Sequence, residues 1–213
     1  MNIIQVKSGP YQTNTYIIEF ESFVVVVDPS DDIVNIKEHF KNKDLYGILL
    51  THGHFDHISS LEILLIEHPK SNLYLHKNAK DKLSNPTLNA SNFTRHPFIV
   101  NYEESYVREV GDGSIIELPN KAKIKVLFTP GHTNCSVCYL LDQHAFVGDT
   151  IFKDYIGAYH FKTGNRVELR NSCYRLIEQS GNLMCYPGHY DIAPTSYIKE
   201  HNKEYLKLIK DLS

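Results

Sequence analysis

Short runs of apolar residues, separated by turn-forming residues, dominate the first part of the chain. The valine-rich run at 23–27 shows no alternation of apolar and polar positions, which favours a strand buried on both faces. Helical spacing at 31–41 predicts the first helix. Similar patterns predict further helices at 58–67, 78–83, 167–179 and 195–212, and further strands at 2–6, 15–19, 46–50, 72–75, 123–128, 137–141, 144–147 and 183–186.

Two connecting segments give additional expectations. Gly111-Asp112-Gly113 separates the strand-like residues 106–110 from 114–118, which predicts a β-hairpin. Residues 84–101 form a long polar stretch with two prolines, either a functional loop or a mobile surface loop. Two β-rich halves, each followed by helices, predict an α/β protein with two sheets and helices on the outside.

Potential metal-binding side chains are most closely spaced at 51–57, directly after the apolar run at 46–50. Three histidines and one aspartate fall within six residues, and in extended backbone His52, His54 and Asp56 point to one side. His57 can begin the following helix. Imidazole and carboxylate donors at one strand end suit a divalent metal such as zinc. The alternative is a polar turn that is merely rich in histidine.

The four side chains at 52–57 are too few to hold two metal ions. Other parts of the chain supply further candidate metal ligands. His132, Asp149 and His189 each lie just past the end of an apolar run, as His52 does. If those runs are strands, side chains that are distant in sequence converge along one edge of the sheets. The pattern therefore predicts a metal site built from several strand ends.

The bulk properties limit the classes of partner. At 213 residues the chain fits a single domain, 1–213, and its hydrophobic content of 42% is ordinary for a globular protein. A net charge of −3 without a basic run argues against nucleic acid as a partner. No signal-peptide pattern or membrane-length apolar stretch is visible, so a cytoplasmic location is the default expectation.

The four cysteines are expected to be free thiols, because no export signal is visible. Cys135 and Cys138 form a C-x-x-C pair, which is also compatible with a redox pair or half of a zinc site. The strand-like residues around Cys138 favour simple burial of a small apolar side chain.

The ordered motifs His-x-His-x-Asp-His, Gly-His, Gly-Asp-Thr and Pro-Gly-His resemble the signature of the metallo-β-lactamase superfamily. The similarity runs from Val24 to Thr195 and is strongest to short glyoxalase II-like hydrolases. It implies an αββα four-layer sandwich without a separate C-terminal glutathione-binding helical domain. It also implies two divalent metal ions, with zinc expected and iron or manganese as alternatives. One ion would take His52, His54 and His132, the other Asp56, His57 and His189, and Asp149 would bridge them.

The resemblance further implies a metal-dependent hydrolase that cleaves a small-molecule acyl thioester such as hydroxyacylglutathione, with a metal-bound hydroxide as nucleophile. Asp56, Asp149 and His189 would then be catalytic as well as metal-binding. One alternative is a persulfide dioxygenase with one iron ion on the same fold. Another is a metal-binding domain with little turnover. An exported β-lactamase or a basic tRNA nuclease does not match the composition.

One segment departs from the family pattern. Where relatives carry Gly-Arg or Gly-Lys, with a tyrosine or aspartate two residues further on, Gly157 is followed by Ala158, Tyr159 and His160. In addition, only 24 residues follow His189, too few for the helical domain of the long glyoxalase II enzymes. Glutathione recognition is therefore open, while metal hydrolysis is expected to be intact. The candidate substrate residues are Asn89, Lys153, Tyr159 and His160.

Overall fold

The computed structural model describes residues 1–8, 11–30 and 32–210. The chain divides into two compact units, residues 1–110 and 111–213. The described residues form one six-stranded sheet in each unit. That the two units act as a single domain stays a prediction.

The sheet of the first unit follows the order of the chain. Its strands are β1 (Asn2–Ser8), β2 (Thr13–Glu19), β3 (Phe23–Val27), β4 (Asp44–Leu49), β5 (Asn72–His76) and β6 (Val107–Val110). The first three strands are antiparallel and the pairs from β3 to β6 are parallel. All five residues of β3 are buried, as the valine run predicts. Because β3 and β4 are parallel, the residues that follow them emerge at the same sheet edge.

The helices of the first unit are shorter than predicted. They are α1 (Ile33–Lys37), α2 (Leu61–Glu67) and α3 (Lys80–Leu83). The Asp32 side chain caps α1 by accepting a hydrogen bond from the Val34 N–H at 2.9 Å, and residue 31 lies outside the described residues. Helix α2 begins only at Leu61, because Phe55–His57 forms a separate 3₁₀ turn.

The second unit contains β7 (Ile115–Glu117), β8 (Lys123–Phe128), β9 (Val137–Leu141), β10 (His144–Gly148), β11 (Met184–Pro187) and β12 (Ala193–Pro194). Each strand lies beside the next one along the chain, as in the first sheet. Among these described strands, β10 and β11 pair in parallel and the other neighbours are antiparallel. Helix α4 (Arg166–Tyr174) connects them and continues as a π-helical turn at Arg175–Gln179.

The predicted hairpin around Gly111-Asp112-Gly113 is wrong. Strand β6 pairs in parallel with β5, while β7 pairs with β8 in the other sheet. The physical reason lies in contacts distant in sequence: the Asp112 carboxylate accepts a hydrogen bond from the Phe128 N–H and pairs with Arg175, so the turn is attached to the end of β8.

The predicted C-terminal helix is interrupted. It consists of α5 (Thr195–His201) and α6 (Lys203–Lys210), and Leu212 lies outside the described residues. Asn202 adopts an extended backbone between them, and its side chain bonds elsewhere in the unit. Ile198, Tyr205 and Leu208 from these helices are buried in the core of the second unit. Over the residues with a described structure, no helix combines the length and the apolar character needed to cross a membrane.

Candidate metal centre

In the first unit the histidine-rich loop after β4 folds back on itself. His52, His54 and His57 are all buried, and the His52 ring centroid lies 4.1 Å from that of His57 and 4.7 Å from that of His54. Asp28, His52 and His57 each offer a donor atom within 4.8 Å of the others. The sequence motif therefore brings several possible metal ligands together within one unit.

Asp28 fixes the orientation of this group. It follows β3, and its carboxylate accepts hydrogen bonds from the Thr51 N–H at 2.8 Å and the Thr51 hydroxyl at 2.5 Å. It also bonds His57 Nδ1 at 2.9 Å. Because a carboxylate only accepts, His57 Nδ1 carries the proton and the lone pair lies on Nε2.

The same argument extends to His52. The Thr51 hydroxyl donates its only proton to Asp28, so its oxygen accepts from His52 Nδ1, 3.2 Å away. His52 therefore also has its lone pair on Nε2, the nitrogen available to a metal. A single buried carboxylate sets the tautomer of two histidines.

Asp56 is held from another strand. Its Oδ2 accepts a hydrogen bond from the hydroxyl of Thr13, at the start of β2, at 3.0 Å, and lies 3.8 Å from His57 Nε2. Thr13 is buried, and no sequence pattern predicted its contact with Asp56, which lies 43 residues further along the chain. Gly53 has a packing role, since a Cβ atom there would lie 2.7 Å from the Lys82 Cβ.

In the second unit, His132, Asp149 and His189 follow β8, β10 and β11 respectively. Asp149 Oδ2 lies 3.6 Å from His132 Nε2 and 3.5 Å from His189 Nε2. His132 Nδ1 donates to the Ala158 carbonyl oxygen at 2.6 Å, which again places the histidine lone pair on Nε2. One carboxylate oxygen thus faces two imidazole nitrogens.

These distances fit a divalent metal. With metal–nitrogen and metal–oxygen bonds of about 2.0–2.2 Å, tetrahedral geometry separates neighbouring donor atoms by about 3.4 Å. The separations of 3.5 and 3.6 Å around Asp149 are close to that value. Imidazole and carboxylate donors serve zinc, iron and manganese alike, so the donor set does not select among them.

Short contacts fix the loops of the second unit that carry His132, Asp149 and His189. The Gly188 N–H donates to the Gly148 carbonyl at 2.9 Å, which ties the His189 loop to the Asp149 loop. Gly131, beside His132, has φ of +134°, and a Cβ atom there would lie 2.1 Å from the Leu169 nitrogen. Only glycine permits this approach of the loop to helix α4.

The candidate substrate residues lie in different settings. Tyr159 and His160 are exposed, and the His160 ring stacks on Phe161 at 5.1 Å. Lys153 Nζ lies 3.8 Å from an Asp191 oxygen. Asn89 belongs to the first unit and is fully buried. Its side-chain amide donates a hydrogen bond to the Phe98 carbonyl and accepts one from the Ser91 N–H. Substrate contact by these residues stays a prediction.

The structure contains the four cysteines as buried thiols, and none of them forms a disulfide. Burial raises the pKa of the Cys138 thiol to about 11, which opposes formation of a reactive thiolate. Cys138 therefore packs as a small apolar residue in the core of the second unit.

Comparison with known proteins relates this chain to several hydrolases. It is 32% identical to the probable metallo-hydrolase YqgX of Bacillus subtilis over 186 residues, 85% of this chain and 86% of that protein. It is 29% identical to the hydroxyacylglutathione hydrolase of Francisella tularensis subsp. novicida over 82% of this chain. That match covers only 61% of the Francisella enzyme, less than two thirds of its length.

Two solved structures have a similar fold. The BLEG-1 B3 metallo-beta-lactamase is 25% identical with a TM-score of 0.87, covering 95% of this chain and 98% of that chain. TTHA1623 in a di-iron-bound form is 25% identical with a TM-score of 0.81, covering 94% and 98%. Together with two mixed sheets and their helices, these likenesses confirm the predicted α/β fold class. Because the sequence pattern of the family matches residues 8–189, the chain belongs to the metallo-beta-lactamase superfamily.

Proposed function

We propose that the chain is a metal-dependent hydrolase of small-molecule acyl thioesters that uses two divalent metal ions. The observation that carries the proposal is the orientation of the histidines. His52, His57 and His132 are all held through Nδ1, which leaves Nε2 as the metal-binding atom. The proposed ligands are His52, His54 and His132 for one ion, Asp56, His57 and His189 for the other, and Asp149 for both.

The family membership supports this assignment. The matched residues 8–189 include all seven proposed ligands, which lie in both units. Two bound ions would supply an activated water molecule and polarise the carbonyl group of the substrate. The protein itself would hold the ions at fixed positions through Asp28, Thr13 and the Ala158 carbonyl. Zinc is the expected metal, with iron and manganese as alternatives. The similar protein TTHA1623 has a di-iron-bound form, which supports iron as one of these alternatives.

The substrate class rests on the relatives and on the chemistry. The Francisella relative is a hydroxyacylglutathione hydrolase, so an acyl thioester of this kind is the first substrate to test. A side-chain nucleophile is not required, and burial opposes thiolate formation at Cys138. The alanine at position 158, in place of a basic residue, favours a thioester other than that of glutathione.

The test combines metal analysis with hydrolysis. Metal-free protein is loaded with excess zinc, iron or manganese, freed of unbound ions, and analysed by plasma mass spectrometry. We expect two ions per chain and thiol release from S-lactoylglutathione or a simpler acyl thioester. Asp149→Ala should reduce metal content at both positions, whereas Asp154→Ala, an exposed aspartate nearby, should not.

Other outcomes separate the alternatives. The protein would instead be a persulfide dioxygenase if three results were obtained together. It would bind a single ion, iron would be the only active metal, and persulfide would be consumed in the presence of oxygen. Two bound ions with cleavage of a chromogenic cephalosporin but of no thioester would identify a β-lactamase. Two bound ions with no turnover of any of these compounds would leave a metal-binding domain.

A further inference from the structure

Two exposed tyrosines, Tyr155 and Tyr190, form an aromatic platform in the second unit. Their exposed fractions are 50% and 54%, and their ring centroids lie 5.4 Å apart. The buried ring of Phe152 lies 5.2 Å from that of Tyr190 and 6.1 Å from that of His189. Tyr190 directly follows His189 in the chain. The platform is therefore adjacent to a proposed metal ligand.

The backbone of Tyr190 has an unusual conformation. Its φ is +66°, in the left-handed region that a bulky side chain rarely adopts. Such strain persists only where the surrounding structure imposes it, and it is concentrated at binding and active sites. The conformation gives the tyrosine ring a defined direction beside His189.

Tyr155 is positioned by a buried amide. The turn at 152–155 is closed by a hydrogen bond from the Phe152 N–H to the Tyr155 carbonyl at 2.9 Å. Asn202, which is fully buried, donates through Nδ2 to the carbonyl oxygens of Phe152 at 3.0 Å and Tyr155 at 2.9 Å. Asn202 lies between α5 and α6, where the helix is interrupted. The C-terminal helices thus hold one half of the platform.

The charges around the platform do not favour an anionic occupant. Lys153 is a neighbouring cation, but its Nζ lies 3.8 Å from an Asp191 oxygen and 5.5 Å from the ring centroid of Tyr197. Asp154, which precedes Tyr155 in the chain, is exposed and adds a negative charge. A planar apolar ring can stack on the exposed tyrosine faces without displacing the pair of Lys153 and Asp191.

We infer that the platform binds an aromatic group on the acyl side of the substrate, so that aryl-acyl thioesters are preferred to simple acetyl thioesters. This inference rests on the proposed thioesterase function. Stacking of a planar ring on an aromatic side chain strengthens binding by about two- to tenfold, in addition to the effect of the apolar area that the ring buries. The arylacetyl group places its ring within one carbon of the reacting carbonyl, which suits a platform next to His189.

The test measures binding and turnover separately. For binding, zinc-loaded protein is titrated calorimetrically with the S-phenethyl and S-ethyl thioethers of N-acetylcysteamine, which cannot be hydrolysed. For turnover, the corresponding phenylacetyl and acetyl thioesters are compared. We expect the phenethyl compound to bind at least about tenfold more tightly than the ethyl compound, because its ring adds both stacking and buried apolar area. We expect a similar ratio in KM for the two thioesters.

Matched variants identify the platform. Tyr190→Asn removes the ring while keeping a residue that tolerates positive φ, and Tyr155→Ala removes the second ring. Each should abolish most of the phenethyl preference without changing metal content. Tyr174→Ala, a tyrosine on α4 that is 38% exposed, is the control and should retain the preference. Asn202→Asp keeps the acceptor for the Tyr205 N–H but loses both donors, so it should behave like Tyr155→Ala if it folds.

The outcomes separate this inference from the proposed function. Equal affinities of the wild-type protein for the two thioethers, or an unchanged preference in Tyr190→Asn, would refute the platform. Hydrolysis of both thioesters with equal KM would refute it while supporting the thioesterase. A phenethyl preference that depends on Tyr190, without hydrolysis of any thioester, would support the platform and refute the proposed function.

Discussion

Replacing Asp28 by asparagine should reverse the hydrogen bonds that orient two proposed metal ligands. The Thr51 N–H can only donate, so it keeps the remaining oxygen at position 28 and directs the new amide group toward His57. His57 Nδ1 must then accept, which moves the proton to Nε2. The second amide hydrogen points to the Thr51 hydroxyl and has the same effect on His52. Both histidines would then present a proton to the metal instead of a lone pair.

The magnitude follows from the hydrogen bonds to the charged Asp28 carboxylate, which the substitution removes. A hydrogen bond to a charged group is worth about 1.5–3 kcal/mol, and 1.4 kcal/mol corresponds to a factor of ten. We therefore expect Asp28→Asn to weaken zinc binding by about ten- to a hundredfold, as is usual when a partner of a metal-binding histidine is lost. Asparagine tolerates the φ of +49° at this position, so the fold should be retained.

Zinc affinity is measured by competition with a chromogenic chelator, and the unfolding of the metal-free protein is followed by circular dichroism. Nitrogen-15 NMR of labelled histidines reports directly which ring nitrogen carries the proton. Asp32→Asn is the matched control, because Asp32 also accepts a backbone hydrogen bond but lies at the exposed start of α1. A zinc affinity within about threefold of wild type in Asp28→Asn, or an equal loss in Asp32→Asn, would refute the reasoning.

Three further substitutions test other parts of the site. Thr13→Val removes the hydroxyl that donates to Asp56 and should weaken metal binding by about tenfold or more, while Thr13→Ser should not; equal affinities in a chelator competition would contradict this. Gly157→Ala would place a Cβ atom 1.8 Å from a carbonyl oxygen, so its melting temperature should fall by several degrees, whereas Gly111→Ala, with open space around it, should melt within about one degree of wild type. Ala158→Lys should lower KM for S-lactoylglutathione by about ten- to a hundredfold with little change in kcat, because a lysine there would bind the glutathione carboxylate; an unchanged KM would show that another residue already does so.

The strands were predictable because their signal is local. The valine run at 23–27 has no polar position to expose, and it forms the buried strand β3 with the predicted bounds. His52, His132, Asp149 and His189 were recognised by their place just past an apolar run, and each does follow a strand end. Short-range pattern alone therefore locates these candidates, while their joint coordination of metal remains a proposal.

The errors arose where a side chain bonds far along the chain. Helical periodicity at 195–212 is continuous in sequence, yet Asn202 breaks it by bonding carbonyl oxygens 50 and 47 residues away. The turn at 111–113 carries a hairpin sequence, but Asp112 bonds to the end of β8 instead. Periodicity reports which face of an element is apolar. It does not report which distant group an amide or carboxylate will meet.

The two units anchor their histidines by different means, and this bears on how substrate preference can change. In the first unit the anchor is a side chain, Asp28, so a single substitution can disturb it. In the second unit the anchor of His132 is the backbone carbonyl of Ala158. A carbonyl oxygen is present whatever the side chain, so position 158 can lack the basic residue of the family pattern and still orient His132. Gly157 constrains the backbone path there, because any Cβ atom would meet the Asp149 carbonyl. The side chain at position 158 can therefore vary while the main chain still orients His132, a proposed metal ligand.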